Sequence, residues 1–553
     1  MADALESDSC SGTVAIASRS APQKFQAPYD RVDGDVILRS CDDVSYRVHR
    51  IILTMASPVF ADMFSLPQSS DIVTPSETDQ HTVSPPIVDL TEDGKTIRAI
   101  LDACYPFKDP DLNDLDAVRT ALEAAAKYEV AKAIQFGERR LQAFVEKEPL
   151  RVFAIACKMD FEDMAKAAAH QVHARSIFKA GLVYVKELDE VSAGCYHRLL
   201  QHYRRRGNWK GLKFCMTSKL SGKAVKKRAK GQAKQTPLPP ASDAPPPFHS
   251  PHADSVIITS DNVHFHLQRQ FISTVAPGLA DRFPVATALK AVQCVDVAGD
   301  SDAYLSRNRE RAEQHSSLAV EEDSTVVGAL LQLCSPLDVP DLPGEDIDFL
   351  TRLVDAARKY RIERVIWLLK ILWPRYLPHE PFRAYVLASC YGWTMQAKDA
   401  ARVLLGETFE AIETSYSPAL EIISTQPYFR LLAYHANCSA AISDAGTAMT
   451  TWLSDDEVIK NISSSCRSCS TYYTNDKTAR WIVPAISKAV ELLLQRPSPR
   501  MLTEGIRLAE IISSIQEKKC SFCSPSPLIY ISFCDSVASK AQQLIDDVDF
   551  ASL

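Results

Sequence analysis

The sequence predicts an α+β, helix-rich chain: two related units, each a small sheet capped by helices with a helical extension, followed by an α-helical C-terminal region. Three observations predict it. The stretch "DVILRSCDDVSYRVHRIILTMASPVFADMF" (35–64) aligns without a gap on "DSVIITSDNVHFHLQRQFISTVAPGLADRF" (254–283), with eight identities in 30 positions, where ordinary composition would give roughly two. Each copy passes from strand-like alternation to helical periodicity of 3.6 residues. And 553 residues are too many for one core, enough for roughly three or four domains.

Val44, Tyr46 and Val48 alternate with Ser45, Arg47 and His49, and Val263, Phe265 and Leu267 alternate in the same way, the pattern of a strand with one buried face. "CDD" (41–43) and "SDN" (260–262) are polar turns ahead of these strands, so each copy opens with a hairpin. Ser57 before Pro58 has the form of an N-cap followed by proline at the first helical position. Downstream, "CYP" (104–106) meets "CSP" (334–336), and "EAAAKYEV" (123–130) meets "DAARKYRI" (355–362). "EPLRVFAIA" (148–156) meets "EPFRAYVLA" (380–388), and "YHRLLQHY" (196–203) meets "YFRLLAYH" (428–435). The last three pairs share an offset of 232 residues, against 219 for the first stretch. The slippage falls in a polar surface loop that is longer in the second copy.

The resulting organisation is a disordered N-terminus (1–29), a first unit (30–140) and its extension (141–213), then a basic and proline-rich linker (214–251). A second unit (252–372), its extension (373–437) and a helical C-terminal region (438–553) complete it. Apolar residues make up 46% and charged residues 24%, ordinary for a globular protein. The net charge of -7 gives no reason to expect general affinity for nucleic acid or membrane surfaces. The N-terminus has no basic start followed by an apolar block. The most apolar window, "RVIWLLKILW" (364–373), is too short to span a bilayer. Fifteen cysteines, most of them single within apolar segments such as Cys104, Cys157, Cys334 and Cys390, fit reduced thiols used as small core residues. The expectation is an intracellular protein of the cytoplasm or nucleus, not secreted.

At the aligned stretches the chain resembles the BTB/POZ family: strand, hairpin turn, strand, a His-Arg pair where the first helix starts, then "SPVF" opening the next helix. The first unit is similar to the large BTB set of mushroom-forming fungi. The second fits in outline and departs at Ala276 for Ser57, Gln268 for His49 and Leu279 for Phe60. The resemblance implies a small sheet capped by helices, used for homo- or hetero-association rather than catalysis, with itself, other BTB proteins or a cullin as partner. It also implies a charged pocket between an acid on the first strand and a base at the helix start. Those positions are Asp35 and Arg50, beside His49, repeated as Asp254 and Arg269. Two readings stand for them: a structural ion pair fixing strand against helix, which specifies geometry more than it adds stability, and a partner-binding pocket. A catalytic reading of His49 is disfavoured, because the second copy has Gln268 there and no nucleophile–base set surrounds it.

"CRSC" (Cys466, Cys469) and "CSFC" (Cys520, Cys523) can supply four thiolates to a structural zinc, although the gap between them is long; reduced or redox thiols are the alternatives. The stretch between them reads as two amphipathic helices. From Arg204 to Lys234 there are 12 Lys or Arg and no acid; Lys226, Lys227, Arg228 and Lys230 form a nuclear-import candidate, a contact for acidic partners or a solvated spacer. No P-loop, G-x-G-x-x-G, H-E-x-x-H or G-x-S-x-G occurs. The reading is a non-enzymatic interaction protein or scaffold. The alternatives are a substrate adaptor of a cullin-type ubiquitin ligase and a nuclear regulator. No specific nucleic acid and no membrane is expected as partner. Two related units on one chain have a high effective concentration for each other, so internal pairing is an option alongside pairing between chains.

Overall fold

A computed structural model describes residues 24–65, 85–106, 109–207, 211, 213–215, 240–250, 252–283, 316–335, 346–447, 457, 470–473, 476–479, 481–503, 509–513 and 527–551. The chain divides into two compact units, residues 1–175 and 176–553. Among the described residues no helix is long and apolar enough to cross a membrane.

In the first unit β1 (Lys24–Phe25), β2 (Val36–Arg39), β3 (Val44–Val48) and β4 (Ile87–Asp89) form a sheet of order β1-β3-β2-β4. β2 and β3 are the expected antiparallel hairpin, Val36 opposite Val48, and β1 and β4 add in parallel at the edges. Asp43 turns the hairpin with φ 61°, a left-handed position that a short polar side chain tolerates. Helices α1 (Arg50–Ala56), α2 (Pro58–Ser65), α3 (Gly94–Cys104), α4 (Leu115–Lys127), α5 (Ala131–Gln142), α6 (Pro149–Lys158) and α7 (Glu162–Ala174) complete the unit. The core joins Val36, Leu38, Tyr46 and Val48 of the sheet to Leu53, Phe60, Ile97, Ile100, Ala125 and Tyr128 of the helices. Asp93 caps α3 through the Thr96 amide and Asp114 caps α4 through the Ala117 amide, each satisfying one orphan donor.

The second unit opens with the tail of the first repeat, ending in α8 (Ala193–Arg204). β5 (Ser242–Asp243), β6 (Ser255–Ile258), β7 (Val263–Leu267) and β8 (Ser316–Ala319) then form a sheet of order β5-β7-β6-β8. Order, sense and register repeat those of the first sheet, with Ser255 opposite Leu267 and β5 and β8 parallel at the edges. Helices α9 (Arg269–Val275), α10 (Pro277–Ala280), α11 (Ser324–Cys334), α12 (Ile347–Lys359), α13 (Glu363–Leu372), α14 (Pro381–Cys390), α15 (Thr394–Leu404) and α16 (Phe409–Thr414) follow. α17 (Thr425–Thr447), the hairpin β9 (Ser470–Tyr473) and β10 (Asp476–Ala479), α18 (Ile482–Gln495), α19 (Arg500–Thr503) and α20 (Pro527–Asp546) end the chain.

The backbone repeats in detail. Left-handed residues recur at Asp43 and Asn262, Glu129 and Arg361, Asp160 and Gly392. Tyr128 and Lys127 donate to Glu92 at 2.5 and 2.6 Å, and Tyr360 and Lys359 donate to Glu322 in the same way. Burial acts to raise both carboxyls, but these donors outweigh it and hold them below the ordinary range.

The structure differs from the sequence-based boundaries at three places. Residues 24–29 are not a disordered terminus: Lys24–Phe25 pair with β3 and Tyr29 is buried in the core. Residues 242–250, expected as linker, pair with β7 in the same manner. The 437/438 boundary falls inside α17, which runs on to Thr447; no glycine or proline stands between Tyr428 and Ala445 to stop it.

Candidate functional site

The first face lies on α1. His49, its N-cap residue, makes no side-chain cap, so the amides of the first turn need another acceptor. Asp35 supplies it from the residue before β2: its carboxylate accepts the Arg50 N–H at 2.6 Å. The Arg50 guanidinium lies instead over the Phe64 ring, 5.2 Å from its centroid. The second repeat does the same, with the Arg269 N–H donating to Asp254 at 2.6 Å and its guanidinium over Phe283. Acid and base therefore meet as a carboxylate on a helix N-terminus, not as an ion pair of side chains. That contact suits the positive end of the helix and gives the repeated Asp its role, while the guanidinium over the ring gives the repeated Arg and Phe theirs. Tyr105 Oη accepts the His49 backbone N–H at 2.8 Å and stands 3.1 Å from its Nδ1. Its Nε2 is 3.7 Å from Asp33.

α1 turns two large apolar side chains to solvent, Ile51 at 64% and Met55 at 82% exposure. Four residues apart, they share one helix face. Their counterparts in α9 are Gln270 and Thr274. In the second repeat the apolar residues stand elsewhere: Trp367 and Ile371 on α13 are exposed, where α5 has Gln135 and Arg139.

A second surface is already occupied. Within the second unit, the tail of the first repeat packs on the matching tail of the second. Ala193 N–H donates to Ile423 O and Thr425 N–H to Val191 O, both at 2.9 Å, around an antiparallel bridge of Ser192 with Ser424. Each bond is the other's image at an offset of 232. So are the ring contacts: Tyr184 on Phe429 and Tyr416 on His197. Tyr196 and Tyr428, equivalent residues, meet edge to face at 6.4 Å. This is an isologous contact between two segments of one chain. The symmetry is broken by charge. Arg198 grips the Glu421 carboxylate with both terminal nitrogens and donates to Phe214 O at 3.0 Å, while its counterpart Arg430 lies over the Phe550 ring. His197 is buried and Nδ1 is 3.1 Å from Tyr428 Oη. The Tyr428 hydroxyl donates to Glu413 O, so Nδ1 is the donor. Burial first, and then the Arg198 charge, push the imidazole down to about 4.

Cys466, Cys469, Cys520 and Cys523 lie outside the described residues, as do Lys226, Lys227, Arg228 and Lys230. Cys104, Cys334 and Cys390 are free thiols and Cys157 is half-buried; burial pushes Cys104 and Cys334 up to about 11. Sequence reasoning missed one cluster, Asp243 with His264 and His266; the H-x-H alternation within "VHFHL" was its readable signal.

Residues 31–144 match the BTB/POZ domain. A search of curated proteins finds no match to the chain. Residues 31–144 are thus a BTB/POZ domain, a protein–protein interaction module, and they span the hairpin, α1 and its exposed pair.

Proposed function

We propose that the chain is a non-enzymatic scaffold that associates through the α1 face of its BTB/POZ domain, with a second copy of itself or another BTB protein as partner. We read the second repeat as a diverged BTB unit whose extension serves pairing within the chain. The observation that carries the proposal is the exposed pair Ile51 and Met55: large apolar side chains on one helix face of an interaction module gain most by being covered. The second repeat has polar Gln270 and Thr274 there, which supports a division of labour between the copies.

Light scattering of the full chain over a dilution series tests this. The expected result is a reversible dimer that Ile51→Gln with Met55→Thr converts to monomer. A wild-type chain that stays monomeric at all concentrations, and binds no other BTB protein through this face, overturns it. The adaptor alternative predicts instead that a cullin binds the wild type and that the same double substitution leaves that binding intact. The nuclear alternative turns on residues 226–230 and is tested by neutralising their charge and following the location.

A further inference from the structure

The second sheet carries a set of metal-type donors that the first lacks. β7 places His264 and His266 two residues apart, on one face of the strand. β5 runs parallel beside it with Asp243 opposite His264, and a further parallel bridge sets His249 opposite His266. His266 Nε2 is 2.9 Å from Asp243 Oδ1, and His249 Nδ1 is 3.8 Å from Asp243 Oδ2. The ligand atoms of Asp243, His264 and His266 all lie within 4.8 Å of one another, and the rings of His249 and His266 are 5.0 Å apart. The backbone frame is fixed: Ala244 N–H donates to His264 O at 2.8 Å, His266 N–H to Phe248 O at 2.9 Å and Ser250 N–H to His266 O at 3.2 Å. All four side chains are at least partly exposed, so an ion can reach them.

The first repeat fills the same places differently. Its register sets Phe25 opposite Ser45, and Arg47, two residues on, lies over the Phe25 ring at 5.1 Å. A cation–π contact closes that edge. In the second repeat a carboxylate and imidazoles stand there instead.

We propose that Asp243, His264 and His266, with His249 as fourth ligand, bind a borderline divalent cation, Zn²⁺ being the best match. Imidazole and carboxylate together suit zinc, whereas calcium and magnesium take oxygen ligands. In a tetrahedral zinc site neighbouring ligand atoms stand about 3.3 Å apart, which rotation of these exposed rings reaches. The ion would clasp β5, only two residues long, to the sheet within the proline-rich segment.

The test is titration of the metal-free full chain with Co²⁺, followed by displacement with Zn²⁺. Nitrogen and oxygen ligands give weak visible bands alone, while thiolates add an intense near-ultraviolet band, so a cysteine site in the C-terminal region is counted separately. The expected result is one Co²⁺ per chain with the weak bands only. His264→Ser with His266→Arg, which installs the first repeat's own side chains, weakens that event on the order of 100-fold, and Asp243→Asn on the order of tenfold. The urea midpoint of the metal-free variants stays that of the wild type. Absence of the weak-band species at millimolar Co²⁺ overturns the proposal, as does its persistence in the double variant. Should the double variant unfold, the Asp243→Asn result decides alone.

Discussion

In the first repeat the Ser57 hydroxyl bridges two helices: it donates to Tyr128 O at 2.5 Å and accepts the Phe60 N–H at 3.0 Å. In the second, Ala276 has no hydroxyl, and Gly278 takes over by close approach, its N–H donating to Tyr360 O at 3.1 Å. A Cβ at Gly278 would stand 2.6 Å from that oxygen. The same backbone demand is met by a side chain in one copy and by the lack of one in the other. The outward positions diverge further: Ile51 and Met55 against Gln270 and Thr274, Gln135 and Arg139 against Trp367 and Ile371, and Arg47 against His266. Inward pattern and backbone hydrogen bonding hold a frame within narrow limits; solvent-facing positions are free to acquire separate tasks.

The largest expected effect comes from breaking the pairing of the two tails where it is asymmetric. Arg198→Ala leaves the Glu421 carboxylate without its buried partner and should cost about 3–5 kcal/mol. Arg430→Ala, at the equivalent position, removes a contact with a ring and should cost about 1 kcal/mol or less. Urea unfolding of the full chain reads both. Equal costs would mean that the charge asymmetry is not what holds the tails.

Next is acid. His197 sits at about 4 in the folded chain against about 6.5 when unfolded. Its folded value is depressed, so its contribution is fully present above 6.5 and is lost as pH falls through the window down to 4. At about 1.4 kcal/mol per pH unit the whole loss is about 3 kcal/mol, of which about 2 falls between pH 7 and pH 5. His197→Phe gives the tail the residue of its counterpart, Phe429, and should flatten this part of the profile. The check is the urea midpoint at pH 7 and pH 5 in both proteins; parallel profiles would remove His197 as the source.

Ser57→Ala should then cost about 1–3 kcal/mol, since both groups it satisfies are buried. Ala276→Ser should bring no matching gain, because Gly278 already serves Tyr360 O. A stabilising Ala276→Ser, measured by thermal unfolding, would show that the Gly278 contact is the weaker solution.

Much of the frame is legible in the sequence, and the physical reason is periodicity. Val44, Tyr46 and Val48 mark a strand, and the turn acids and Ser57-Pro58 mark its ends and the next helix. Two-residue strands such as Lys24–Phe25 and Ser242–Asp243 have no alternation to read, and both precede the aligned stretches. The β9–β10 hairpin was hidden in a region read as helical, although "STYY" carries the β-branched and aromatic residues that strands favour. The charges of Asp35 and Arg50 are plain in the sequence, but which atoms meet depends on the uncapped start of α1, which only the backbone reveals. The repeat of "YHRLLQHY" as "YFRLLAYH" was readable; that the two copies pack on each other was not, because sequence similarity is silent on contact.

The smallest effect on stability is expected at the exposed apolar pairs, and there the comparison is sharpest. Ile51→Gln with Met55→Thr, and separately Trp367→Gln with Ile371→Arg, each exchange solvent-facing side chains for those of the other repeat. Each should change unfolding free energy by no more than about 0.5 kcal/mol, as surface substitutions do. Association should respond far more, because covering such side chains contributes on the order of 2 kcal/mol or more apiece at the centre of an interface. The mass in solution separates the two faces. Loss of the dimer in the first variant alone assigns self-association to α1 of the BTB/POZ domain. Loss in the second alone moves it to α13, and the division between the copies is then the reverse of the one proposed.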